Sequence, residues 1–235
     1  MDISLVIPVH GDQSENFDTL ISSINSQNYS GPCRIHIVAD IIPASLQEQY
    51  LSLPPDRYTF HPNKAQTRRY ALYNILSILD GLDGEQIIGI VDGDDSLIGS
   101  DCLTNIHRAH RAGFPVVWTA NRWDLNNLNH SGSLDDSQNV YEHPWVASHF
   151  RTFRLSLYQD ISRANFLNQN GKVFEKCYDQ ALMLPIIHRA HQLGFSTKYV
   201  PIVHYLYRGR IDHTSEGRRL QLEYEKFIRQ RGYVE

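Results

Sequence analysis

Asp92-Gly93-Asp94-Asp95 gathers three carboxylates into four consecutive residues. Carboxylates this close repel one another unless a cation neutralises them. Their hard oxygens suit Mg²⁺ or Mn²⁺, ions commonly shared with the phosphates of a substrate. An Asp-Gly pair is also a favoured solvated turn, so the surroundings must choose between the two readings. The preceding run, Ile87-Ile88-Gly89-Ile90-Val91, is apolar and plants the acids at the mouth of a buried strand, which favours a site. Asp12 and Asp40 also follow apolar runs. Asp179 stands where a helical pattern begins. A carboxylate there complements the helix dipole.

The elements that must carry these acids can be read from hydrophobic period. Ile3 to Val9 predicts a strand, and Phe17, Leu20, Ile21 and Ile24 a helix. A second strand runs from Arg34 to Asp40 and a third lies near Tyr58-Thr59-Phe60. Ala71, Leu72, Ile75, Leu76 and Leu79 form the apolar face of a helix closed by Gly81 and Gly84. A strand from Gln86 to Val91, a helix around Leu103 to Ala112 and a strand from Pro115 to Ala120 follow. Strands alternating with helices predict an α/β fold with a mostly parallel sheet and right-handed crossovers. Ligands of such sheets sit beyond the carboxyl ends of the strands, so Asp12, Asp40 and the acidic cluster are expected to converge on one crevice.

The second half is less regular. Residues 121–143 read as a long polar loop. Helices are expected from Phe150 to Leu157 and from Tyr178 to Gln192, the latter kinked at Pro185. A strand from Thr197 to Val203 and a last helix with Leu220, Tyr224, Phe227 and Ile228 on one face complete the chain.

Composition narrows the classes. The 235 residues are 41% hydrophobic and 20% charged, with 22 Lys+Arg against 26 Asp+Glu and a net charge of −4. This is a globular composition with room for a sizeable core, and it excludes a strong whole-surface attraction to nucleic acid. Cys33, Cys102 and Cys177 are too few and too widely spaced for a disulfide framework or zinc cage. No apolar run approaches the roughly 20 residues that cross a bilayer, and Met1-Asp2-Ile3-Ser4 lacks the basic start of a signal peptide. A cytoplasmic location is expected. Twelve histidines occur without a paired zinc-ligand spacing.

Four pieces in order carry a resemblance: Leu5-Val6-Ile7-Pro8-Val9-His10, Asp40 closing the second strand, Asn63-Lys64-Ala65-Gln66-Thr67-Arg68 opening a helix, and Val91-Asp92-Gly93-Asp94-Asp95. Together they resemble family 2 glycosyltransferases of the GT-A fold. Tyr178-Asp179-Gln180-Ala181-Leu182 looks like that family's second acidic motif, with Tyr178 where a Glu is common. Tyr205-Leu206-Tyr207-Arg208 with His213 and Ser215 looks like its C-terminal segment. The resemblance implies one GT-A-like domain over residues 1–235. Residues 1–120 form the Rossmann-like nucleotide-sugar-binding half, and 121–235 the acceptor half with the C-terminal helix.

It implies further that Pro8, Val9 and His10 border the base of a nucleotide-sugar donor, a UDP-sugar first among candidates. Asp40 contacts base or ribose, and Asn63, Lys64, Arg68, Asp92, Gly93, Asp94, Arg208 and Arg210 complete the donor site. Asp94, Asp95 and His213, with His204 as the alternative histidine, are the expected ligands of Mn²⁺ or Mg²⁺. Asp179 is the expected base of an inverting hexosyl or pentosyl transfer to a hydroxyl, with Glu175 as second candidate. A metal and nearby cations would stabilise the charge that develops on the leaving diphosphate.

Aromatic faces suit sugars, so Trp118, Trp123 and Trp145, with His149 and Tyr178, are candidate acceptor contacts. The acceptors left open are a glycan or lipid-linked sugar, protein, or, if Arg151, Arg154 and Arg163 form a basic patch, a hydroxylated base in DNA. A nucleotidyltransferase and a non-catalytic nucleotide- or sugar-binding module are the alternatives. The first lacks a Gly-rich, lysine-bearing phosphate loop after the first strand, and the second draws on Tyr178.

Overall fold

The structure, a computed structural model, describes residues 1–65, 67–209 and 215–235. Eight strands form one sheet in the order β3-β2-β1-β4-β7-β6-β8-β5. They are β1 (Asp2–Val9), β2 (Cys33–Ala39), β3 (Tyr58–His61), β4 (Gln86–Ile90), β5 (Ser96–Leu97), β6 (Val116–Trp123), β7 (Arg151–Arg154) and β8 (Lys198–Tyr207). The helices are α1 (Ser14–Asn25), α2 (Ala44–Leu51), α3 (Tyr70–Leu79), α4 (Cys102–Arg111), α5 (Leu155–Gln159), α6 (Tyr178–Gln192) and α7 (Ser215–Arg231), with a short 3₁₀ turn at Arg163–Phe166.

The first half follows its hydrophobic period. β1 pairs in parallel with β2 and β4, and β2 with β3. Alternation along the strands divides the core between two faces. Val6, Ile88, Ile90 and Phe153 pack on one side with α3, α5, α6 and α7. Leu5, Ile7, Ile35, Ile37 and Phe150 pack on the other with α1, α2 and α4. Helices on both sheet faces are the layered solution for strands buried front and back.

The sheet is mostly parallel, as expected, and its second half adds antiparallel pairings that make it mixed. β7 runs antiparallel to both β4 and β6, and β5 is antiparallel to β8, while β6 and β8 are parallel. The helix expected from Phe150 to Leu157 is instead β7 followed by α5. An odd separation in a strand sends side chains to opposite faces, so Phe150 and Phe153 enter different cores although their spacing also suits a helix.

The helix expected to open at Asn63 begins at Tyr70. Asn63 holds the intervening loop, its Oδ1 accepting Ala65 N–H at 3.1 Å and its Nδ2 donating to the Thr67 carbonyl at 2.7 Å. α6 has the bounds the sequence predicts and runs through Pro185. Among the described residues no helix is long and apolar enough to cross a membrane.

Candidate active site

The carboxyl ends of β1, β2 and β4 open onto a cleft of about 180 Å³. Pro8, Val9 and His10 form one wall, Asp40, Arg68 and Tyr70 another, and Asp92, Gly93 and Asp94 the floor, facing Glu175, Lys176 and Tyr178. Short main-chain bonds set this shape. Asp40 N–H donates to the Val9 carbonyl at 2.8 Å, Gly93 N–H to the Pro8 carbonyl at 3.3 Å, and Asp95 N–H to the Asp92 carbonyl at 3.0 Å. Gly93 is required by close approach, because a Cβ there would lie 2.6 Å from both Gln13 Oε1 and Val9 Cγ1.

Asp40 acts first as a helix cap. Its Oδ1 accepts Arg69 N–H at 2.9 Å and Asn63 Nδ2 at 3.2 Å, and its Oδ2 accepts Tyr70 N–H at 3.0 Å. A carboxylate from a strand end thus satisfies the free N–H groups of α3 and complements its dipole. The same bonds hold Tyr70 at φ +65°, a left-handed conformation that a tyrosine adopts at a cost.

The acidic turn is held from below by the second half of the chain. Asp92 N–H donates to Tyr205 Oη at 2.9 Å, and Tyr178 Oη donates to Asp92 Oδ1. Arg208 N–H donates to Asp95 Oδ1 at 2.7 Å, and Arg208 Nη1 to the Asp94 carbonyl at 3.0 Å. Arg151 is only 1% exposed, and its Nη2 lies 3.7 Å from Asp92 Oδ2 and 2.6 Å from His149 Nδ1. His149 is stacked between Tyr205 and Tyr207, with ring centroids 4.8 and 4.7 Å away.

Burial decides the titration of these groups. It raises Asp92 above the usual carboxylate range, against the pull of Arg151. It raises Asp95 much further, helped by the charges of Asp92 and Asp94. Burial and the Arg151 charge hold His149 well below the ordinary histidine value. Burial opposes the Arg151 charge, but Tyr178 and Asp92 outweigh it and its pKa is raised.

One ligand atom each from Asp92, Asp95 and His149 lie within 4.8 Å of one another, and Asp95 Oδ2 is buried without a hydrogen-bond partner. Two carboxylates and an imidazole are a fitting donor set for Mn²⁺ or Mg²⁺. His149, expected among the acceptor contacts, thus stands with the acids. His213 and Arg210 lie outside the described residues. His204 is turned away, its ring bonded to Asn105 Nδ2 at 3.0 Å and the Ile98 carbonyl at 3.2 Å.

Other expectations need correction. Trp118 is fully buried and donates Nε1–H to the Gly132 carbonyl at 2.9 Å, so it offers no face to an acceptor. Trp145 packs half-buried against the core around α6. Lys64 is exposed on its loop, and neither it nor Asn63 lines the cleft. Asp12 stays outside the crevice because its Oδ1 accepts Ser14 N–H at 3.1 Å, at the start of α1. No basic patch joins Arg151, Arg154 and Arg163: the first is buried, the second donates to the His110 carbonyl and the third pairs with Asp80.

Asp179 sits half-buried in the first turn of α6, near enough for its charge to act on Asp92 and Arg151. Sequence reasoning missed Gln13, Asn74 and Lys176, and set Arg151 in a basic patch rather than beside the acids. Arg151 was hidden in a stretch whose spacing suited a helix, and the others carry no motif.

This arrangement of a mixed sheet, helices on both faces and a cleft at the strand ends is the GT-A-like glycosyltransferase fold. Its likeness extends to a piece of S. aureus TarS, residues 1–349, solved with UDP-GlcNAc, at a TM-score of 0.59 and 15% identity over 91% of this chain and 60% of that one. The mannosyltransferase PcManGT from Pyrobaculum calidifontis, solved with GDP-Man and Mn²⁺, gives 0.61 and 15% over 96% and 62%. The chain therefore spans less than two thirds of the length of each. No protein-family model matches the sequence, and no curated relative does.

Proposed function

We propose that the chain is an inverting, metal-dependent glycosyltransferase that moves a sugar from a nucleotide-sugar donor, a UDP-sugar in the first instance, to a hydroxyl of a glycan or lipid-linked acceptor in the cytoplasm. The observation that carries this reading is the acidic turn Asp92-Gly93-Asp94-Asp95, whose first three residues floor a cleft between the ends of β1, β2 and β4 and the start of α6, with Asp95 buried beneath. Structures of the same fold hold UDP-GlcNAc, or GDP-Man with Mn²⁺, which adds support.

In this reading Asp92, Asp95 and His149, with Asp94 at the cleft surface, hold the cation. Bound there, a divalent cation would supply positive charge that stabilises a leaving diphosphate. Pro8 to His10 and Arg68 flank the nucleoside, and Lys176 adds a cation beside the cleft. Asp179 accepts the acceptor hydroxyl's proton while that oxygen attacks the anomeric carbon from the face opposite the leaving nucleoside diphosphate. The C–O bond to the acceptor forms as the bond to the diphosphate opens, which inverts the centre.

Calorimetric titration with UDP, GDP, CMP and dTDP, each with and without Mn²⁺, tests the reading. One nucleoside diphosphate should bind only with metal, and Asp95→Ala should abolish that binding. Metal-dependent binding as strong in the variant as in the parent would remove Asp95 from the cation site. Free nucleotide released on adding acceptor marks a glycosyltransferase, whereas pyrophosphate release would mark a nucleotidyltransferase.

A further inference from the structure

Two neutral amides line the cleft without partners of their own. Gln13 is 6% exposed and Asn74 3% exposed. Gln13 Oε1 is buried and accepts no hydrogen bond. The side-chain bond received at Asn74 goes to its main-chain carbonyl, from Ser77 Oγ at 2.7 Å, which leaves its carboxamide to the cleft. Buried polar groups are nearly always satisfied, so two such amides in one small cleft point to a ligand that completes them.

The first candidate for reading a base is Asp40, and its carboxylate is largely taken up by the helix cap, with one bond on Oδ2 and two on Oδ1. Both oxygens of Asp40 accept main-chain N–H groups at the start of α3. Next to it, the Arg68 guanidinium lies 4.6 Å from the centre of the Tyr70 ring, and both line the cleft, offering a flat surface to a planar group. Gln13 Oε1 packs against Gly93, where a Cβ would lie 2.6 Å from it.

A carboxamide presents a donor beside an acceptor, and so does the hydrogen-bonding edge of every nucleobase; the two pair in a bidentate way. Ribose shows only hydroxyls, which a carboxylate suits better than a carboxamide's paired donor and acceptor. We infer that Gln13 and Asn74 are the residues that read the donor's nucleobase. This inference rests on the reading of the cleft as a nucleotide-sugar site, and it assigns a role to two residues that no motif marks.

The test is calorimetry on the parent, Gln13→Leu and Asn74→Leu, with UDP, GDP, CDP and ADP to find the preferred base and with inorganic pyrophosphate, all in the presence of Mn²⁺. Each variant should bind the preferred nucleotide at least tenfold more weakly and pyrophosphate as the parent does. The penalty should persist when the 2′-deoxy form of that nucleotide is used. Near-isosteric Asn74→Asp and Gln13→Glu replace any leucine variant whose circular dichroism shows it unfolded, with the same expected loss.

Folded variants that bind the nucleotide like the parent, or lose nucleotide and pyrophosphate equally, would overturn the assignment. So would a penalty that vanishes with the deoxynucleotide, which would move the contact to ribose. A parent that binds neither nucleotides nor pyrophosphate would overturn it through failure of the donor-site reading itself, and is recognised by that shared loss.

Discussion

A guanidinium held where almost no water reaches it must find its compensation within the protein. Arg151 Nε and Nη1 have no hydrogen-bond partner, and what offsets their desolvation is the charge of Asp92, 3.7 Å from Nη2, and the Tyr178 ring, 5.2 Å from the guanidinium carbon. Removing one member of a buried pair leaves the other charge uncompensated, typically at about 3–5 kcal/mol. Arg151→Met should therefore lower the unfolding free energy by about that much at pH 7.

The loss should shrink at pH 5, where Asp92, already raised by burial, takes up a proton more readily. Urea denaturation at both pH values checks it, and a loss below about 1 kcal/mol at both would mean that Arg151 is not the counter-charge of Asp92. At this scale the sequence was legible where chemistry repeats within a short span. The three aspartates announce themselves, as does Asp179 at a helix start, whereas His149 and Arg151 reach the acids only through the pairing of β7 with β4, which no local pattern encodes.

Elements were legible in proportion to their periodicity. α6 reads cleanly because the apolar run Ala181 to Ile187, all of it buried, is longer than the mean strand and is followed by polar residues and Gly194. α2 escaped notice, with only Leu46 and Tyr50 buried along its length. β7 is buried on both sides, so it lacks the alternation of a half-exposed strand. What ties β7 to its neighbours suggests a pH test. His110 of α4 is fully buried, and its Nε2 lies 2.9 Å from Thr152 Oγ1 of β7.

Burial, with the charge of Arg154, lowers His110 from 6.5 to about 3. The folded state then binds fewer protons at this group than the unfolded state between those values, so stability is complete above pH 6.5 and falls as pH drops toward 3. At pH 5 the one group accounts for about 2 kcal/mol. His110→Gln keeps a polar amide near Thr152 and does not titrate. The fall in its urea midpoint from pH 7 to pH 5 should be clearly smaller than the parent's, and parallel falls in the two proteins would exclude His110 as a source of acid lability.

At the scale of the whole chain, the cleft is built from both halves. Its floor and two walls come from the ends of β1, β2 and β4, while Glu175, Lys176 and Tyr178 reach it from the start of α6. The acidic turn is fastened to the end of β8 through Tyr205 and Arg208, and β7 and β6 bridge the halves within one sheet. We propose that residues 1–235 unfold as one cooperative unit, and that a ligand in the cleft stabilises all of it. Free ligand at about 100 times its dissociation constant adds about 2.7 kcal/mol to the folded state. For a domain of this size that corresponds to a rise in Tm of about 5–10 °C. Calorimetric melting with Mn²⁺ and the preferred nucleoside diphosphate should show one transition moving upward by that amount, and Mn²⁺ alone a smaller shift. Two transitions, of which the nucleotide moves only the earlier or only the later, would show that the halves fold separately and that the donor is held by one of them alone.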